Sequence, residues 1–293
     1  MGTLYIVSTP IGNLEDVTFR AARLLGSVDL VLAEDTRRAG ILLRHLDIQT
    51  ALLSLHEHNE ESRIEGVLDR LQAGQSLALI SDAGTPLVSD PGYRLVGRAV
   101  DAGHSVVPIP GPSAVMAALV ASNLPLIPFT FLGFPPRKGK ERRAVLERVA
   151  AGEGTSVLFE APDRTARTLD ELARTAGDTR PAAVARELTK MHEEVRRGTL
   201  GELARYYREE PPRGEVTVVV GPRQEMELSG AVDEAAVEAL ASALLEEGAS
   251  PSRAAREVAR RLGVSRNRVY TLVQQIAHDP GSDAADPAAS PST

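Results

Sequence analysis

The sequence contains no cysteine. Disulfides, zinc–thiolate centres and cysteine nucleophiles are thereby excluded, and nothing calls for an oxidising compartment. Tryptophan is also absent and aromatic residues make up only 3%, so the cores must be built from Leu, Val, Ile and Ala. Lysine is confined to Lys138, Lys140 and Lys190. The ratio reads as coding bias toward arginine rather than function, yet it singles out each lysine. No basic region precedes an apolar run at the N-terminus, so no signal peptide is read. Gly2 follows Met1, but Ile6 stands where N-myristoylation needs Ser or Thr. Residues 105–136 carry no charge, but seven prolines interrupt them, which indicates a buried segment rather than a membrane span. The expectation is a cytoplasmic protein with no membrane partner. Neither a P-loop nor a G-x-G-x-x-G fingerprint occurs, so nucleotide hydrolysis and NAD binding lose support.

What is present is ordinary for a globular chain: 293 residues, 43% apolar and 25% charged, enough for two domains and a small appendix. The net charge of −7 argues against a general nucleic-acid binder, but the distribution says more than the sum. Residues 223–247 are acidic. Residues 250–278 hold six Arg against one Glu, and Arg137, Lys138, Lys140, Arg142 and Arg143 crowd into seven positions. Two basic patches on an acidic protein suggest a specific polyanionic partner.

Short apolar runs alternate with helical patterns through the first third of the chain. Leu4-Tyr5-Ile6-Val7, Leu30-Val31-Leu32, Leu52-Leu53-Ser54-Leu55, Leu77-Ala78-Leu79-Ile80 and Ser105-Val106-Val107 read as strands of a mainly parallel sheet. Thr18 caps the first helix. Asp90-Pro91 reads as a cap followed by proline at the first helical position. An Ala-rich helix over 113–121 bridges to an α+β domain with a mixed sheet. Its strands are Phe129-Thr130-Phe131-Leu132, Ser156-Val157-Leu158-Phe159, Ala182-Ala183-Val184-Ala185, Glu194-Val195-Arg196-Arg197 and residues 215–220. The basic run at 137–143 is expected to be a loop. Ser250 opens a helix that stops at Gly263, and Ser265 caps the next, a helix-turn-helix pattern. The expected domains are 1–121 and 122–222, a linker at 223–231, a helical module at 232–278 and a disordered tail at 279–293.

Three small-residue loops follow strands: 9–13, 81–92 and 108–113. Carboxyl ends of parallel strands are where open α/β sheets bind ligands. Gly12, Gly84 and Gly111 permit close approach of a ligand to the backbone, and amide groups there can hold a carboxylate or phosphate. Any one loop alone would be an ordinary turn; three in one sheet point to a small-molecule site. In Glu34-Asp35-Thr36-Arg37, Arg37 either orients a substrate or pairs with Asp35 in a helix cap. His56 and His58 share one face of a strand end, with Glu57 opposite. No third ligand stands at metal-binding spacing, so His56, His58 and Asn59 are read as a polar substrate-facing rim, with a solvated turn as the alternative. Arg186-Glu187-Leu188-Thr189-Lys190 brings Glu187 and Lys190 together, for chemistry or as a surface ion pair. The run at 137–143 and the Arg-rich terminal module are candidates for phosphate contacts, or simply solvated charge.

Thr9-Pro10-Ile11-Gly12-Asn13-Leu14, Glu34-Asp35-Thr36-Arg37, Ser54-Leu55-His56-Glu57-His58-Asn59-Glu60, residues 81–92, Pro108-Ile109-Pro110-Gly111-Pro112 and Arg186-Glu187-Leu188-Thr189-Lys190 occur in this order. The series resembles the ribosomal small subunit methyltransferase I family of the tetrapyrrole methylase fold, over about residues 4–220 and the terminal module. The resemblance implies two α/β domains with S-adenosylmethionine in the cleft between them, usually in a homodimer. It also implies transfer of a methyl group to the ribose 2′-hydroxyl of a cytidine at the decoding site of 16S rRNA, with the rRNA expected within the assembled small ribosomal subunit. The 2′-oxygen would attack the methyl carbon in line as the sulfur leaves, with alignment supplying much of the rate. By analogy Pro10, Asp82, Ser113 and Ala114 line the cofactor site, with Gly12, Ala83, Gly84 and Gly111 in the same loops and Arg186 and Glu187 near it. Lys190, His56 and Glu187 are candidates for the base or for a cation that stabilises the alkoxide. Asn13, Arg37, His58, Asn59 and the basic run face the RNA; no metal is assigned. Two rivals remain: a methyltransferase of tetrapyrroles or another small substrate, and a non-enzymatic DNA-binding regulator. Two positions depart from the family pattern, which has Gly at Asn123 and His at Asp163.

Overall fold

The computed structural model describes residues 2–223, 234–262, 269, 270 and 272–274. The chain forms two compact units that divide after Arg223. In the first unit the elements run β1 (Thr3–Val7), α1 (Phe19–Leu25), β2 (Leu30–Ala33), α2 (Thr36–His45), β3 (Leu52–Ser54), α3 (Glu60–Gln72), β4 (Leu77–Ile80), α4 (Tyr93–Asp101), β5 (Ser105–Ile109) and α5 (Ala114–Ala121). These are followed by β6 (Phe129–Phe131), α6 (Gly139–Ala151), β7 (Thr155–Glu160), α7 (Pro162–Ala176), β8 (Pro181–Arg186), β9 (Glu194–Thr199), α8 (Leu200–Glu209) and β10 (Val216–Val220).

The first sheet is wholly parallel, in the order β3-β2-β4-β1-β5. Every residue of β2 and β4 is buried, as continuous apolar strands covered on both faces must be. The strand period of two divides the core. Leu4, Ile6, Leu30 and Leu32 pack with Ile64, Val67 and Leu71 of α3 and Leu95 of α4. Val7, Val31, Ala78 and Ile80 pack with Leu25 of α1 and Leu42 and Leu43 of α2. Side chains cap the helices where the sequence indicates: Thr18 accepts from Ala21 N, Asp35 from Arg37 N and Ser113 from Met116 N. The order also fixes where a ligand can go. Strands β4, β1 and β5 are neighbours, so the loops that follow them emerge side by side.

The second sheet is mixed, in the order β6-β7-β10-β8-β9, with only the β6–β7 pair parallel. Helices α6, α7 and α8 cover one face through Leu146, Leu169, Leu172, Leu203 and Tyr207. The other face meets α5, whose Val115, Ala118 and Leu119 pack on Val157, Ala183 and Val219. Helix α5 therefore leaves the last strand of the first sheet and buries its apolar side on the second. In the second unit, α9 (Glu234–Glu246) and α10 (Pro251–Leu262) enclose Val237, Ala241, Ala254, Ala255 and Val258 together with Val269 and Val273. Gly263, Ser265, the tail at 279–293 and all of the linker except Arg223 lie outside the described residues.

Three expectations are corrected. Asp90-Pro91 does not open α4, which starts at Tyr93 behind Gly92 at φ 111°. Leu87 and Ser89 are also left-handed, at φ 73° and 72°, so the chain coils before the helix. His56 and His58 are not on a strand: β3 ends at Ser54 and residues 57–59 form a turn. The basic run is not a loop. Helix α6 begins at Gly139, so Lys140, Arg142 and Arg143 are helical. Its inward stripe is Arg142, Leu146 and Val149, and a buried arginine in that stripe hides the apolar period.

Arg142 is held by a polar network between α6, α7 and β7. Its Nε donates to Glu171 Oε2 at 2.7 Å, its Nη2 to Thr168 Oγ1 at 2.9 Å and its Nη1 to the Pro136 carbonyl at 3.1 Å. Glu160, whose side chain is fully buried, lies 3.9 Å from Arg142, accepts from Thr168 and pairs with Arg164. Removing one partner of a buried pair leaves an uncompensated charge. Arg142→Met is therefore expected to lower unfolding free energy by about 3 kcal/mol, the low end for a severed buried pair because Arg164 still holds Glu160. A urea titration against wild type checks it.

Candidate active site

The three loops are tied together before any ligand is considered. Thr9 and Gly84 exchange two backbone hydrogen bonds, of 2.8 and 3.0 Å. The Thr9 hydroxyl donates to the Ser81 carbonyl at 3.2 Å. Ser8 and Thr85 hydroxyls meet at 3.0 Å, and Thr85 donates to the Pro112 carbonyl at 3.3 Å. The loops after β1, β4 and β5 thus form one surface.

That surface is the floor of two adjoining cavities. The larger, of about 340 Å³, reaches from Asp82, Ala83, Gly84, Ser113 and Ala114 to Phe134, Phe159, Glu160 and the start of β10 at Val216 and Thr217. The second, of about 280 Å³, is lined by Pro10, Gly12, Leu14 and Ile41, with Lys190 on the far side. Both share Ile11, Arg38, Asp82, Ala83 and Glu215. Apolar walls with a few convergent polar groups are the usual make-up of a small-molecule site.

Negative charge dominates the floor. Asp82 accepts from Asp35 N at 3.0 Å and lies 3.6 Å from Arg38. Burial, and next the charge of Asp82, push Glu34 above the usual carboxylate range. Asp90 lines the larger cavity. Its carboxyl is pushed up to about 6, by burial first and then by Glu34 and Asp82, although a hydrogen bond with Ser81 opposes the shift. The left-handed residues Leu87 and Ser89 precede it, and such strain, of order 1–3 kcal/mol each, collects at functional loops.

The other wall is the turn after β8. Lys190 Nζ lies 2.9 Å from Glu187 and 3.2 Å from Glu215. Burial works to lower its pKa, but both carboxylates outweigh that and hold it above the ordinary lysine value. Glu187 is held below the usual carboxylate range, by Lys190 first and then by Glu215 N. Lys190 is therefore a fixed cation. Glu187 and Thr189 are left-handed, at φ 49° and 67°, and Thr189 accepts from Asn13 N at 3.1 Å. A Cβ at Gly12 would stand 2.4 Å from Lys190 Cγ. The missing side chain makes room for the lysine stem, not for a ligand.

With this geometry in view, comparison with known proteins decides the family. Residues 3–204 match the model for Tetrapyrrole (Corrin/Porphyrin) Methylases, and residues 231–277 match the model for the RsmI C-terminal HTH domain. A Synechocystis protein named Ribosomal RNA small subunit methyltransferase I is 43% identical over 95% of this chain and 100% of its own. Relatives of the same name from Mesorhizobium japonicum and Micromonospora olivasterospora are 45% and 47% identical, over 95% and 93% of this chain and 93% and 87% of theirs. The chain belongs to the ribosomal RNA small subunit methyltransferase I family. Among solved structures, cobalt precorrin-4 methyltransferase has a TM-score of 0.59 at 21% identity, covering 75% of this chain and 94% of its own. Uroporphyrin-III C-methyltransferase from Thermus thermophilus has a TM-score of 0.54 at 22% identity, covering 75% and 94%. Both share the fold. Membership in a family of methyltransferases sets aside the reading as a non-enzymatic regulator.

Of the residues the sequence singles out, Pro10, Gly12, Asp82, Ala83, Gly84, Ser113, Ala114 and Lys190 line the cavities. Gly111 lies behind them, where a Cβ would come within 3.0 Å of Ser8 Cβ. Arg186 pairs with Glu194 at 2.7 Å, and Arg37 with Asp35 at 2.7 Å. His56 and His58 line neither cavity; their rings stack edge-on at 6.0 Å. Asn59 serves the turn, accepting from His56 N at 2.8 Å and donating to the Ser54 carbonyl at 3.2 Å. Among the described residues no cluster of three His, Asp or Glu stands ready for a metal, and no helix is long and apolar enough to cross a membrane. Sequence reasoning missed Arg38, Asp90, Phe134 and Glu215. Asp90 was legible only as a cap, and Glu215 only as a strand residue.

The two departures from the family pattern are physically mild. Asn123 follows α5 at φ 61°, a conformation that glycine favours and that asparagine tolerates best among the rest. Asp163 sits exposed in the first turn of α7, where an acidic group suits the helix dipole.

The Asp90 shift fixes a sign. A carboxyl raised in the folded state binds a proton more readily than in the unfolded chain, so stability falls as pH rises from 3.8 to about 6. Asp90→Asn is expected to be more stable than wild type above pH 6, by on the order of 1 kcal/mol after solvent screening. The gain should vanish below about pH 4, which urea midpoints across that range would reveal.

Proposed function

We propose that this protein methylates ribosomal RNA of the small subunit, at the ribose 2′-hydroxyl of a cytidine in the decoding region of 16S rRNA, using S-adenosylmethionine. The observation that carries the reading is similarity of both body and terminal module to relatives named Ribosomal RNA small subunit methyltransferase I, over nearly the full chain. The donor set fits the cofactor. Ile11, Val88, Phe134 and Phe159 offer apolar walls, and Asp82 a carboxylate for a polar cofactor group. Ser113 and Ala114 open α5, where free amide groups suit a carboxylate. When bound, S-adenosylmethionine supplies an electrophilic methyl group on a positively charged sulfur.

The chain's own residues have separate tasks in this reading. The tied loops hold the donor, and the walls exclude water. Lys190 is charged at neutral pH and cannot accept the hydroxyl proton, so its part is to stabilise negative charge developing on the ribose oxygen as that proton passes to solvent at the open side of the cleft. Glu187 holds Lys190 in place. The charged state of Lys190 disfavours it as the base, and the commitment of Glu187 to Lys190 and Glu215 N disfavours Glu187 as well. Homodimer formation and a cytoplasmic location belong to the same reading. Met116 and Val120 lie exposed one turn apart on α5, with Ile127 88% exposed beyond it, an apolar face consistent with a partner subunit.

The test uses labelled S-adenosylmethionine and small ribosomal subunits lacking the modification. Label in the ribose of one cytidine is expected; label on a base, or none, would overturn the reading. Lys190→Met keeps the apolar stem against Gly12 and removes the charge. It should lower kcat on the order of 100-fold with cofactor affinity unchanged. Sedimentation of the wild type should give the mass of a dimer.

A further inference from the structure

A groove of about 300 Å³ runs between α6 and α7, apart from the two cavities. Lys138, Arg143, Arg167 and Arg174 stand exposed along it, above Arg142 and Glu171. Five cations thus face one carboxylate. Glu171 is already committed to Arg142 and Arg167. Among the described residues no carboxylate pairs with Lys138, Arg143 or Arg174. Arg167 and Arg174 are seven residues apart on α7, hence about 10 Å apart along one side of it. Lys138 is the N-cap of α6 and leaves that helix end without a side-chain cap. The amide groups of a 13-residue helix therefore add their dipole to the same groove.

The groove also has a direction. Arg142 lines the groove, and Glu160 lines the larger cavity; the two are 3.9 Å apart. Pro162, the first residue of α7, lines the cavity as well. The buried Arg142–Glu160 pair, with Thr168 between them, therefore lies in the wall between the basic groove and the proposed methyl-transfer cavity.

We propose that the α6–α7 groove binds the ribose-phosphate backbone of the RNA substrate and leads it to the cavity at the Arg142–Glu160 wall, with Arg143, Arg174 and Lys138 as the phosphate contacts. This rests on the rRNA reading above. It adds Arg174 to the basic run at 137–143 that the sequence offers for phosphate contacts, and it gives Arg142 a structural role instead of a phosphate contact.

The experiment uses the full chain and a fluorescein-labelled transcript of the decoding-region RNA, with anisotropy read between about 50 and 200 mM salt. The double variant R143E/R174E changes two exposed side chains and should fold as wild type, as checked by circular dichroism. Its RNA Kd should rise at least ~10-fold and its log–log salt slope should shrink by roughly 1 to 2. Its S-adenosylmethionine Kd, by calorimetry, should stay unchanged. Arg148→Glu, exposed on α6 but outside the groove, should leave RNA binding as in wild type. If wild type binds and methylates the RNA while R143E/R174E keeps its Kd and salt slope, the groove assignment is wrong and the substrate reading stands. If wild type does not bind the transcript, KM for small ribosomal subunits lacking the modification replaces Kd: an unchanged KM in R143E/R174E overturns the groove assignment, and no methylation of those subunits by wild type overturns the substrate reading.

Discussion

Two backbone hydrogen bonds between Thr9 and Gly84 lie beyond the ends of β1 and β4, where the sheet's own ladder has stopped. Without them, the loops after neighbouring parallel strands would leave unpaired amide and carbonyl groups at the cleft. With them, the loop after β4 becomes a continuation of β1. Ser8 and Thr85 extend the link to Pro112 and so to the start of α5. Because α5 packs on the second sheet, this one bridge relates the floor of the cavities to their opposite wall. The mutual bonding of the three loops supplies the rigidity that a binding site needs.

The Lys190 turn completes the enclosure from the other side. Its stem fills the space left by the absent Cβ of Gly12, and Thr189 accepts from Asn13 N. Glu187 accepts from both Lys190 and Glu215 N. Two left-handed residues in four positions are costly, and these four contacts hold them there. The same contacts that fix the lysine also keep it charged, so its position and its chemistry have one cause.

Much of this was legible in the sequence where local rules act alone. Apolar runs of three or four residues marked most of the strands, and Thr18, Asp35 and Ser113 marked helix starts. The three loops could be grouped because strands of a parallel sheet put their carboxyl ends on one side. Legibility failed where a tertiary contact reverses a local signal. Asp90-Pro91 has the form of a cap, but left-handed Leu87 and Ser89 coil the chain and Asp90 lines the cavity. Arg142 occupies an apolar position of α6 and erased the period that would have shown the helix. Gly12 and Gly111 looked like openings for a ligand, but Lys190 and Ser8 fill those spaces. Phe134 follows β6 and Glu215 precedes β10, both at the edge of the second sheet, and no spacing in the chain connects them to Asp82.

The distribution of charge then has a physical reason. The cavities carry Asp82, Asp90, Glu160 and Glu215 against Arg38 and Lys190, while the α6–α7 groove carries an excess of cations. Left in contact, these opposite fields would collapse into surface ion pairs and neutralise each other. The buried Arg142–Glu160 pair, with Thr168 and Glu171 completing its hydrogen bonds, separates them by packing. At about 10 Å and an effective dielectric near 20, each surviving charge still contributes about 1.7 kcal/mol to a unit charge nearby. A polyanion is therefore favoured in the groove and opposed in the cavity, and a cationic sulfonium donor is favoured in the cavity. Sorting two substrates by sign demands that the boundary itself be neutral and dry, and an ion pair buried between β7 and α6 meets both conditions.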